Sequence, residues 1–133
     1  MLSGLSHVTL AVLNVARSVD FYTQVLGLRV RVQWQGGAYL SCGALWLCLS
    51  EDEPCPKTDY THLAFAIEAE HFDDFVRQIR EQEVVEWRQN RSEGASLYLL
   101  DPDGHKLEIH VGSLDTRLNH LRSQPYPGLV WFD

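Results

Sequence analysis

The sequence has no apolar run approaching the ~20 residues that a membrane-spanning helix needs. Its first residues, MLSGLSHVTLAV, show no basic leader and no small-residue cleavage pattern. Both absences predict a soluble, cytoplasmic protein with no membrane partner. Basic residues are few: eleven Lys and Arg stand against eighteen Asp and Glu, a formal net charge of -7. A surface of that sign does not track a phosphate backbone, so nucleic acid is not an expected partner, and any anion must be gripped locally. Cysteine is scarce as well. Cys42, Cys48 and Cys55 are odd in number and form no C-x-x-C pair, which argues against a disulfide framework and against a thiolate zinc site. What is present, 133 residues of which 45% are hydrophobic and 22% charged, suits one globular domain that buries its own core.

Residues 5–12 (LSHVTLAV) alternate as a strand does, and 15–26 place Val15, Val19, Tyr22 and Leu26 at helical spacing before Gly27, a natural helix stop. Three β-rich runs follow at 28–34, 37–42 and 45–50, divided by Gly36 and Gly37 and then by Gly43. The polar segment 51–59, with two prolines and no periodicity, reads as a connector. Then the pattern restarts: a strand at 60–67, a helix at 69–82 with Phe72, Phe75, Val76 and Ile79 on one face, and β runs at 84–88, 96–100 and 106–111. The prediction is an α+β fold of two tandem βαβββ units with curved mixed sheets. Repeat one covers 1–50, the connector 51–59, repeat two 60–112, and a terminal helix with an aromatic tail 113–133.

His7 and His62 occupy the same place in the opening strands of the two repeats. Side chains two apart on a strand share a face, so His7 is expected beside Thr9, His62 beside Tyr60 and Ala64, and Glu108 beside His110. If the sheets curve toward one another, two imidazoles and a carboxylate converge with coordination positions left open, which suits octahedral Mn(II) or Fe(II) better than a closed zinc site. A lone strand histidine is more often a hydrogen-bonded structural residue; the repeat-equivalent placement is what lifts this pair. His71, His105 and His120 sit at a helix start, after a turn and in a helix, and carry no ligand assignment. His110 is left outside the metal shell because Gly112 marks the end of its strand. The polar loop NRSEGAS (90–96), with Arg88 before it, Tyr98 after it and Arg117 on the terminal helix, offers hydroxyls and guanidinium forks for a phosphate or phosphonate.

GAYLSCGALWLCLS (37–50), DYTH (59–62), NRSEGAS (90–96), LDPDGHKLEIHVGSL (100–114) and QPYPG (124–128) together resemble the vicinal oxygen chelate superfamily and, within it, the FosA-type fosfomycin resistance glutathione transferases. The resemblance implies an enzyme that opens the epoxide of fosfomycin with the thiol of glutathione, using Mn(II) and activated by K(+). It implies His7, His62 and Glu108 as metal ligands, and Thr9, Arg88, Ser92, Ser96, Tyr98 and Arg117 around the phosphonate and epoxide. Asn90, Ser92, Gly94 and Ser96 match the potassium loop, whose oxygens suit a hard cation. Tyr39, with Thr9, matches the groups that assist the thiol, and Trp34, Trp46, Cys48, Tyr60 and Arg91 line the glutathione side. The family is similar to a domain-swapped homodimer with shared active sites.

Three departures stand out. Arg88 replaces a usual lysine, keeping charge while changing shape. Leu63 replaces a tyrosine on the face opposite His62, and the 51–59 connector is short. Rival readings are a glyoxalase-type isomerase, an Fe(II) ring-cleaving dioxygenase, and a drug-sequestering binding protein. The hydroxyl-rich loop with its arginines argues against the first two, and a metal triad is not needed by the third.

Overall fold

The computed structural model describes residues 1–132. Among them the elements run β1 (Val8–Val12), α1 (Val15–Asp20), β2 (Arg29–Trp34), β3 (Gly37–Cys42), β4 (Leu45–Glu51), β5 (Leu63–Ala66), α2 (Ala69–Glu81), β6 (Glu86–Arg88), β7 (Ser96–Leu100), β8 (Lys106–His110) and α3 (Leu114–Ser123). This is βαβββ twice, then a helix, the α+β fold expected. Two four-stranded mixed sheets result, ordered β1-β4-β3-β2 and β5-β8-β7-β6. Each repeat pairs its first strand parallel to its last, β1 with β4 and β5 with β8. Even the irregularities correspond. The ladder of β2 slips between Val30 and Val32, and that of β6, its counterpart, between Glu86 and Arg88.

The described chain divides into two compact units, one of Met1–Thr61 with Leu100–Lys106, the other of His62–Leu99 with the residues from Leu107 onward. In the first, β4 alternates: Leu47 and Leu49 are fully buried while Trp46 and Cys48 take the other face. Helix α1 buries Val15 and Val19 and packs against β3 and β4. Burying each such aliphatic side chain contributes about 1.5–3 kcal/mol before chain entropy is subtracted. In the second unit, Leu97, Leu99, Leu107 and Ile109 supply the core with Phe65 and Ile79. Strand parity therefore turns Ser96, Tyr98, Glu108 and His110 to the opposite face.

The turn between β7 and β8 belongs to the first unit, and its contacts say why. Tyr22 donates its hydroxyl to Asp101 Oδ2 at 2.7 Å, and the backbone N–H groups of Asp103 and His105 donate to Asp101 Oδ1 at 2.9 Å. Arg17 pairs with Asp103 at 2.9 Å, and the His105 Nε2–H reaches the Ala11 carbonyl in β1 at 2.7 Å.

Two elements differ from expectation. The helix expected over 15–26 is α-helical only to Asp20, and Phe21–Val25 forms a π-helical turn. The Thr23 hydroxyl donates to the Val19 carbonyl at 2.8 Å, competing for the acceptor that a regular helix would use. The opening strands begin later than expected, so His7 and His62 each stand one residue before a strand, at Val8 and Leu63, and not within it. Pairing with β4 starts at Val8–Leu47, and with β8 at Leu63–Leu107, which leaves both imidazoles just outside the ladders. Their equivalence in the repeat is kept; their strand parity is not.

Candidate active site

The candidate residues fall on two sheets, one in each unit. On the first, register aligns Thr9 with Cys48 and Cys48 with Tyr39, a row across β1, β4 and β3. The His7 ring lies 4.4 Å from Trp46, Trp46 lies 5.2 Å from Tyr39, and Tyr39 lies 4.9 Å from Trp34. Trp34, Tyr39 and Trp46 are all exposed, and a contiguous aromatic face left open to solvent is the mark of a binding surface. Cys48 is half-buried and Tyr60 exposed. The His7 Nδ1 stands 3.0 Å from the Ser6 hydroxyl.

On the second sheet His62 and Glu108 come together: Nε2 of His62 is 2.9 Å from Oε1 of Glu108. Glu108 is buried, and its other oxygen accepts from the Ser96 hydroxyl at 2.6 Å. Tyr98 is buried beneath Trp87 and lies 6.2 Å from the His62 ring, while the Arg88 guanidinium stands 5.8 Å over the Tyr98 ring. A cavity of about 570 Å³ is lined by Arg88, Asn90, Ser96 and Tyr98 and is bounded further out by Arg80 and Glu86.

The 90–96 loop is closed by its first residue. Asn90 donates through Nδ2 to the Gly94 carbonyl at 2.8 Å, and its Oδ1 accepts from the Ser92 N–H at 3.1 Å. Arg117 of α3 ties the loop down, with Nε 2.9 Å from Glu93 Oε2 and Nη2 3.1 Å from the Glu93 carbonyl. That hydrogen bond from Arg117 holds the Glu93 carboxyl below its ordinary value. Arg91 is exposed on the loop.

Nε2 of His62 and Oε1 of Glu108 are hydrogen-bonded to each other at 2.9 Å. The donor set, one imidazole and one carboxylate, fits a divalent ion of intermediate hardness. Among the described residues, no group of three or more His, Cys, Asp or Glu is assembled that could hold a metal.

Two residues in this site carry no role in the sequence reading. Glu93 binds Arg117, and His110 lies 2.6 Å from the Ser96 hydroxyl. For His110 the signal was present, since it shares the face of Glu108; the end of the strand at Gly112 obscured it.

Residues 4–109 match the family model for the Glyoxalase/Bleomycin resistance protein/Dioxygenase superfamily. The chain belongs to that superfamily, and its duplicated βαβββ sheets are the vicinal oxygen chelate fold. Among individual relatives, it is 50% identical over 136 aligned residues to glutathione transferase FosA of Serratia marcescens, covering 98% of this chain and 96% of the relative. It is 38% identical over 129 residues to metallothiol transferase FosB of Staphylococcus haemolyticus, covering 92% and 93%. In structure it is similar to the fosfomycin resistance protein FosX of Listeria monocytogenes, a mutant of which was solved with Mn(II) and 1S,2S-dihydroxypropylphosphonic acid; the TM-score is 0.78 at 29% identity, covering 90% of this chain and 99% of that one. No helix among the described residues is long and apolar enough to cross a membrane.

Proposed function

We propose that this chain inactivates fosfomycin by adding the thiol of glutathione to its epoxide. The observation that carries the reading is the meeting of His62, Glu108 and Ser96 beside Arg88 and Tyr98, in a chain half identical to a glutathione transferase FosA. His62 and Glu108 would hold a divalent cation, Mn(II) in this reading, with His7 of a second copy as the third donor in a domain-swapped homodimer. K(+) would lie among the oxygens of Asn90, Ser92, Gly94 and Ser96, and the enzyme would work in the cytoplasm.

When bound, the divalent ion supplies Lewis-acid withdrawal of charge from the epoxide oxygen. The protein's own groups do the rest. Arg88 and Arg117 grip the phosphonate through guanidinium forks, assisted by Ser92, Tyr98 and Thr9, and this fixes the carbon that sulfur attacks. On the aromatic face, Tyr39 or Thr9 takes or shares the thiol proton, while Trp34, Trp46, Cys48, Tyr60 and Arg91 border the tripeptide. A sulfur–carbon bond forms as the carbon–oxygen bond breaks, and the proton from sulfur ends on the opened oxygen.

The test is phosphorus NMR of purified protein with fosfomycin, with glutathione, cysteine and bacillithiol compared as donors and with several divalent metals, with and without K(+). Conversion with glutathione and Mn(II), enhanced by K(+) and abolished in Glu108→Ala, is expected. Inert fosfomycin alongside turnover of a hemithioacetal or a catechol would overturn the reading, as would drug protection that survives His62→Ala.

A further inference from the structure

We propose that His110 is a positioning residue for this site, one that makes the Ser96 hydroxyl a donor to Glu108 and thereby sets the rotation of the Glu108 carboxylate. The proposal rests on the reading of Glu108 as a metal ligand.

Hydrogen counting assigns the roles. The Ser96 hydroxyl donates its one hydrogen to Glu108 Oε2 at 2.6 Å. Nδ1 of His110 is also 2.6 Å from that oxygen. With the serine hydrogen committed, Nδ1 must carry the hydrogen of this second contact, and Nε2 is the bare end of the ring. Nδ1 is in addition 3.4 Å from Oε2, so its N–H dipole favours the same carboxylate oxygen. Oε1 is left turned toward His62 at 2.9 Å.

A second observation, independent of the hydrogen bonds, shows that the ring is built in. Gly94 and Gly112 both adopt positive φ, 80° and 131°, and a Cβ on Gly94 would stand 2.9 Å from Cε1 of His110, one on Gly112 3.1 Å from Nε2. The imidazole is thus held between two stretches of bare backbone, one from the 90–96 loop and one from the exit of β8. Side chains at either position would push it out of line with Ser96.

A specificity consequence follows for Ser96. Its hydrogen is given to Glu108 and one lone pair to His110, so what it can still offer is a lone pair. That suits a cation in the loop and does not suit a phosphonate oxygen, which needs a donor. The phosphonate would then draw its hydrogen bonds from Arg88, Arg117 and Tyr98, with Ser92 contributing only by giving up its own bond to Asn90 Oδ1 at 3.2 Å, and Ser96 acts on the metal side.

The test uses the intact protein. Long-range proton–nitrogen NMR of the metal-free wild type should show hydrogen on Nδ1 of His110; hydrogen on Nε2 alone would overturn the proposal. Mn(II) titration followed by electron paramagnetic resonance should show His110→Phe and Ser96→Ala binding roughly 10–100-fold more weakly, the usual effect of losing a ligand's supporting partner. His110→Asn, whose amide N–H can stand near the Nδ1 position, should recover most of that affinity. In Ser96→Ala the KM for fosfomycin should hold while kcat falls. Unchanged Mn(II) affinity in His110→Phe, or a KM that rises with Ser96→Ala, would contradict it. Glu108→Ala separates the two readings: if it keeps Mn(II), the metal site itself is wrong, whereas its loss beside full binding in His110→Phe defeats only the role of His110. Should His110→Phe not fold, the wild-type spectrum and His110→Asn still decide.

Discussion

Tyr22 and Asp101 are 79 residues apart in sequence and 2.7 Å apart in the fold, and their contact is the clearest case of a single pair holding a segment in place. Burial, with the Asp101 charge beside it, pushes the Tyr22 hydroxyl well above its ordinary range. The folded state therefore favours the neutral phenol. The stabilisation is complete below the unfolded value, near pH ~10, and is lost as pH rises above it. Tyr22→Phe is expected to cost about 1.5–3 kcal/mol, because it strips a donor from a buried carboxylate. Urea unfolding at pH 7 measures the cost, and the loss of stability above pH ~10 should be shallower in the variant. Arg117→Ala removes the anchor of Glu93 and, in the proposed mechanism, one phosphonate fork, so the KM for fosfomycin should rise at least tenfold, checked by steady-state kinetics. Residue types at His7, His62 and Glu108 were legible because chemistry is written in identity. Contacts such as Tyr22 with Asp101 were not, because only the folded path brings them together.

Strands and turns obeyed local rules most closely where alternation was strong. The runs at 37–42 and 106–110 emerge as β3 and β8 because Leu40, Leu107 and Ile109 alternate with outward-facing neighbours. The strand expected from 84 starts at Glu86 instead, since α2 ends through Gln82 and Glu83, the latter at a φ of 55°. The π-helical turn at Phe21–Val25 was hidden for a related reason: helical spacing of apolar residues fits either pitch. The 90–96 loop stood out through its composition, yet its closure by Asn90 required coordinates. Gly94→Ala tests that element. The backbone lies at positive φ, and a methyl group would collide with the Val111 carbonyl. The variant should lose about 1–3 kcal/mol, read by thermal melting, and should need more K(+) for half-maximal activity.

The described chain repeats one βαβββ unit, which places Thr9, Tyr39 and the exposed tryptophans on one sheet and Ser96, Tyr98 and Glu108 on the other, with no three-donor metal group assembled among the described residues. The repeat itself was legible from His7 and His62 and from the βαβββ rhythm. Which chain completes which site was not, because a sequence does not say whether its halves face each other or a copy. Sedimentation should find a dimer, the state in which closed two-fold symmetry supplies the missing donor twice. The most direct measurement mixes two inactive variants, His7→Ala and Glu108→Ala, unfolds and refolds them together, and follows fosfomycin consumption with glutathione and Mn(II). In a shared site each mixed dimer regains one intact centre, so about a quarter of wild-type activity should return from an equal mixture. A mixture as inactive as either variant alone, from protein shown to have exchanged subunits, would contradict the account.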